Sequence, residues 1–73
     1  MQKTSEFDQK AFCEKLRSLR EHHGFSQKEM ADALSVERST YSSYEIGRAL
    51  PSLASIKIMS EKLHVSADEL LGI

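Results

Sequence analysis

The 73-residue sequence predicts an all-α domain, a compact arrangement of five short helices, and three observations lead there. Apolar residues recur at three- and four-residue intervals in several separate stretches, which is the spacing of a buried helical stripe. Two Ser-x-x-Glu boxes, Ser26 to Glu29 and Ser66 to Glu69, mark helix starts at which each side chain satisfies the other residue's unpaired amide. Between the stretches the chain breaks within a few residues, and no segment reads as a strand, a repeat or low complexity.

The first helix is expected from about Asp8 to His23, because Phe12, Leu16 and Leu19 recur at i, i+4 and i+7. Ser5-Glu6-Phe7-Asp8 offers its start, and Gly24 stops it by supplying a left-handed position. Residues 1–7 are expected to be a partly disordered extension, and residues 8–73 the domain. After the Ser26 box, Met30, Ala31 and Leu34 form the buried face of a helix only about two turns long. Ser35 and Val36 break it, and Glu37 or Arg38 begins a third helix. Here Thr40, Tyr41 and Tyr44 are expected on the inner side, with Arg38, Ser39, Ser42 and Ser43 outside on a small, polar and almost acid-free face. Gly47 ends this helix, and Pro51-Ser52 starts a fourth, to about His64, with Leu53, Ile56, Met59 and Leu63 as its stripe. The second box then opens a last short helix ahead of Leu70 and Leu71. Helices this short are marginal alone in water, so they must fold as one unit.

Composition narrows the function. Forty per cent of the residues are hydrophobic and 29 per cent charged, as in a soluble globular domain. The single cysteine, Cys13, permits neither an intramolecular disulfide nor a Cys-x-x-Cys zinc pattern, and suits a reducing cytoplasm. The opening has no apolar run and no 18-residue apolar stretch follows, so neither a signal peptide nor a membrane span is expected. Enzyme chemistry finds no footing. Glu61-x-x-His64 is one limb of a carboxylate metal site that needs two, His22 and His23 point about 100 degrees apart on a helix, and Cys13 has no base placed by sequence. No metal, cofactor or small-molecule substrate is expected.

A formal charge of −1 is unusual for a nucleic-acid binder, so binding must depend on where the charges sit. A helix that reads DNA presents its outer face to a major groove about 12 Å wide while a second helix crosses the backbone, which calls for two short helices and a rigid turn. Arg38 can fork onto guanine O6 and N7, and Ser39, Ser42 and Ser43 can donate to or accept from base edges.

The stretches "LRSLREHHGFSQKEMADALSV", "RSTYSSYEIGRALPS" and "MSEKLHVSADELL" together resemble the phage-repressor and Cro (XRE) type of bacterial helix-turn-helix domain, a lambda-repressor-like fold, over nearly the whole chain. The resemblance implies a sequence-specific, double-stranded DNA-binding regulator, most often a repressor, acting as a homodimer on a two-fold operator. It places base reading on Arg38, Ser39, Ser42 and Ser43, and gives Gln27 the double task of touching a phosphate and bracing the first recognition residue. Lys28, Tyr44, Arg48 and Ser52 fall where backbone phosphates are contacted, and Arg20 and Glu45 fall on a partly buried structural ion pair. Five positions depart from the pattern: Ser35, Cys13 and His64 stand for glycines, Glu37 for a Ser or Thr cap, and Ile46 for an asparagine.

Each assignment has a plainer alternative. Arg38, Lys28 and Arg48 are otherwise solvated side chains, the serines neutral surface, and Ser52 a helix cap. Tyr41 falls where the family buries an aliphatic residue and is expected in the core, while Tyr44 is expected half-buried with its hydroxyl at the surface. The contrasting reading of the whole chain is a protein-contact module, antitoxin-like or regulator-binding, supported by the acidic balance, Glu37 and exposed Ile46 and Ile58. Leu71-Gly72-Ile73 is a candidate for subunit contact or a frayed end.

Overall fold

The computed structural model describes residues 7–73, so the extension expected over residues 1–7 falls, apart from Phe7, outside the described residues. Five helices follow one another: α1 (Gln9–His22), α2 (Gln27–Leu34), α3 (Arg38–Ile46), α4 (Leu53–Lys62) and α5 (Ala67–Leu71). The described residues contain no strand.

Local chemistry sets the boundaries. Asp8 caps α1 by accepting from the Ala11 amide. At α2 the capping box is complete, with Ser26 Oγ accepting from the Glu29 amide at 3.0 Å and Glu29 Oε1 accepting from the Ser26 amide at 2.7 Å. Ser52 and Ser66 cap α4 and α5 by accepting from the amides of Ser55 and Glu69, but Glu69 does not return the bond, so the box expected at Ser66 is only half made. Glu37 precedes α3 without a side-chain cap bond. Gly24, Gly47 and Gly72 have positive φ, as expected of chain-reversal positions.

Ser35 and His64, where the resemblance places glycines, are also left-handed, each with φ of 59°. That conformation crowds a Cβ against its own backbone. Ser35 is exposed, so replacing it with glycine is expected to relieve this crowding and stabilise the fold by about 0.5–1 kcal/mol, seen as a rise in the urea midpoint at constant slope.

The core gathers Phe12, Leu16, Met30, Ala31, Leu34, Tyr41, Ile56, Met59, Leu63 and Leu70 from all five helices. Cys13 fills the seam between α1 and α3, where its thiol donates to the Tyr44 carbonyl at 3.2 Å and burial pushes its pKa up. At the opposite end His23 stacks on Phe25 and meets His64, and Lys62 lies 4.2 Å over the Phe25 ring. The three histidines therefore sit at the ends of α1 and α4, as surface or half-buried side chains.

Three expectations about burial need correction. Leu53 is 86 % exposed, because it occupies the first helical position of α4 and overhangs the core that Ile56, Met59 and Leu63 enter. Thr40 is exposed, since only one edge of the short α3 meets α1 and α2 and that edge is taken by Tyr41, Tyr44 and Glu45. Tyr44 is 7 % exposed and not half-buried, because its ring packs on Tyr41, 6.1 Å between centroids, within the core cluster.

Candidate nucleic-acid interface

The turn Ser35-Val36-Glu37 holds α2 and α3 against each other, and it exposes the front of α3. Arg38, Ser39 and Thr40 are exposed in sequence, and Ser42 and Ser43 continue the face at half burial. Ser43 Oγ donates to the Ser39 carbonyl at 3.0 Å, which leaves its lone pairs available. Of the residues expected to read bases, Arg38, Ser39, Ser42 and Ser43 thus share one side of α3, with Thr40 exposed beyond its edge.

Behind that face lies a bonded chain of polar side chains. Glu45, its side chain 2 % exposed, is paired with Arg20 through Nε to Oε2 at 2.6 Å and Nη2 to Oε1 at 3.2 Å. The Tyr41 hydroxyl donates to Oε2 at 2.5 Å, and the Gln27 amide nitrogen donates to Oε1 at 3.1 Å. The Gln27 oxygen in turn accepts from Arg38 Nη1 at 3.1 Å. Burial alone would push the Glu45 carboxyl up, but hydrogen bonds from Arg20, Tyr41 and Gln27 outweigh it and hold the group below its ordinary range. The Tyr41 phenol moves up, first through burial and then through its bond to Glu45. The Arg20 guanidinium moves up too, because its bond to Glu45 outweighs desolvation.

The Arg20–Glu45 pair thus sits as the resemblance implies, and Gln27 contacts the first residue of α3. Sequence position alone predicts Tyr41 in the core and does not reveal its bond to Glu45, for which the i, i+4 spacing of the two residues is the available signal.

The remaining positions lie on α2 and in the segment from α3 to α4. Lys28 is exposed and paired with Asp32 one turn on, at 3.2 Å, so part of its charge is already answered. Arg48 is exposed in the loop after α3. Ser52 is exposed and occupied as the α4 cap. Gln27 is half-buried with both ends of its amide bonded, and Tyr44 lies too deep to offer much surface. Ile46, 63 % exposed, ends α3 beside this surface. No group of three or more metal-ligating side chains occurs among the described residues, and no helix there is long and apolar enough to cross a membrane.

Comparison with known proteins agrees with this fold. The family described as Helix-turn-helix matches residues 16–70. The SPbeta prophage-derived uncharacterized HTH-type transcriptional regulator YonR of Bacillus subtilis is 45% identical over 60 residues, 82% of this chain and 56% of its own length. The HTH-type transcriptional activator BcrR of Enterococcus faecalis is 38% identical over 61 residues, 84% of this chain and 30% of its own. The chain therefore spans about half, or less, of these curated relatives. Among solved structures, the restriction-modification controller protein C.AhdI of Aeromonas hydrophila superposes with a TM-score of 0.77 at 32% identity, covering 86% of this chain and 96% of that one. With the family matched from α1 to α5 and the five helices in the expected order, the chain belongs to the helix-turn-helix family of the phage-repressor and Cro type.

Proposed function

We propose that this chain is a sequence-specific, double-stranded DNA-binding transcriptional regulator that lays α3 in the major groove and works as a homodimer on a two-fold operator, as a repressor. One observation carries the reading: Arg38 stands at the front of an exposed helix face whose one acid is the cap residue Glu37, and is tied to the chain behind it by the Gln27 oxygen. A guanidinium so placed keeps most of its donor fork for guanine O6 and N7, with Ser39, Ser42 and Ser43 beside it for neighbouring base edges. For phosphate contact, Gln27 and Lys28 open α2 and Ser52 caps α4, at helix N-termini that favour anions, while Arg48 supplies its charge from the loop after α3. Tyr44 has little surface left for that task. With a formal charge of −1, binding to random DNA is weak, because that term comes from phosphate neutralisation.

The test is selection from a random duplex library at two salt concentrations, with Arg38→Ala beside the parent. The parent is expected to return a two-fold motif with half-sites about one helical turn apart. Arg38→Ala is expected to cost about 1–3 kcal/mol at the selected site and to relax one base position. An unchanged pattern in the mutant removes Arg38 from base reading. A parent with no enrichment at low salt favours the second reading, a protein-contact module. Exposed Phe7, Leu50 and Leu53, gathered around one apolar cleft, support that alternative.

A further inference from the structure

The buried ion pair and the exposed arginine are not independent features. Each oxygen of Glu45 accepts two hydrogen bonds: Oε2 from Arg20 Nε and the Tyr41 hydroxyl, Oε1 from Arg20 Nη2 and the Gln27 amide. Arg20 is held from behind as well, because its Nη1 donates to the Phe25 carbonyl at 2.9 Å. The carboxylate therefore has no freedom to turn. Gln27 lies between two charges of opposite sign, with its nitrogen on the carboxylate and its oxygen on the Arg38 guanidinium. Flipping the amide would set its hydrogens against those of Arg38 and its oxygen against Glu45, so both contacts would turn repulsive.

We propose that Glu45, locked by Arg20 and Tyr41, is a positioning residue for base reading: it fixes the Gln27 amide so that an acceptor always faces Arg38. The proposal rests on the reading of Arg38 as a base contact. An exposed arginine samples many rotamers, and an acceptor fixed in advance selects among them before DNA arrives. One of five guanidinium hydrogens is used and the rest of the fork stays free. Discrimination at one base pair is thereby set by a carboxylate buried beneath the DNA-facing surface.

The experiment uses the whole 73-residue chain, with Arg38→Ala, Gln27→Met, Glu45→Gln and the paired replacement Arg20→Met/Glu45→Gln, each checked for helicity. Binding is titrated against the selected duplex and its single-base variants. Gln27→Met and Glu45→Gln are each expected to lower discrimination by about 3- to 10-fold at the base pair that Arg38→Ala relaxes, as the loss of one solvent-exposed hydrogen bond of ordinary strength implies. In the Arg38→Ala background neither should change that position further. A merely structural role lowers affinity for every duplex alike by depleting folded protein, and leaves the ratios untouched. If Glu45→Gln fails to fold, the paired replacement, which leaves no buried charge, answers the same question with the same expected relaxation.

Full discrimination at that base pair in the folded Gln27 and Glu45 variants overturns the proposal while Arg38 keeps its role. No change in Arg38→Ala itself overturns the base-reading assignment instead.

Discussion

Arg20→Met is expected to destabilise the domain by about 3–5 kcal/mol, because it leaves a buried carboxylate facing a hydroxyl and an amide with no countercharge. A domain of 73 residues has a total stability of roughly 4–11 kcal/mol at typical per-residue values, so the loss removes a large fraction of it, and all of it at the lower end of that range. The double replacement Arg20→Met/Glu45→Gln should be less harmful than the single one, since an amide can remain neutral in that site. Urea titration of the singles and the double gives the coupling directly. The response to pH is expected to change sign. In the parent the Glu45 carboxyl lies below its unfolded value, so its contribution is fully present above about pH 4.3 and is lost as pH falls through the lower folded value. Without Arg20 the folded value moves above the unfolded one, and the variant should gain stability on acidification toward pH 4 where the parent loses it. Parallel pH profiles for both proteins would contradict this account of the pair.

Phe12→Ala should cost about as much, roughly 3–5 kcal/mol, by a different mechanism. The ring is 2 % exposed at the centre of the face that α1 turns to the core, so truncation removes buried apolar area and leaves a cavity that helices this short cannot easily collapse around. Phe12→Leu keeps most of the volume and is expected to cost under about 1.5 kcal/mol. The functional signature separates this variant from those on α3. Base discrimination stays intact while apparent affinity falls, and saturating operator raises the melting temperature because only the folded state binds. A relaxed base preference in Phe12→Ala, with full helicity, would mean that α1 reaches the reading head by a route other than stability.

Much of this arrangement could be read along the chain. The box at Ser26, the caps at Ser52 and Ser66 and the breaks at Gly24 and Gly47 are local chemistry, satisfied within four residues, and the five helices lie close to the places expected, although Glu69 leaves the Ser66 box half made. Stripe periodicity likewise identified the core positions of α1 and α2, where each helix has a full face to bury. Family resemblance, and not periodicity, pointed to Arg20 with Glu45, and the structure joins them across 25 positions of sequence.

Edges and partners are set by packing alone. Periodicity assigns a face to a helix but not the length over which a neighbour covers it, so it placed Leu53 and Thr40 inside, where no neighbour reaches, and left Tyr44 half outside. Nor does spacing along one helix say which acceptor a buried hydroxyl will find. Tyr41 was identified as core by its position, yet its oxygen completes the shell of Glu45, and Glu45 orients the amide that meets Arg38. Local hydrogen bonds and repeating apolar stripes are written in neighbouring residues and survive as pattern. A polar chain running from α1 through α3 and α2 to the exposed arginine exists only once packing has brought its members within bonding distance.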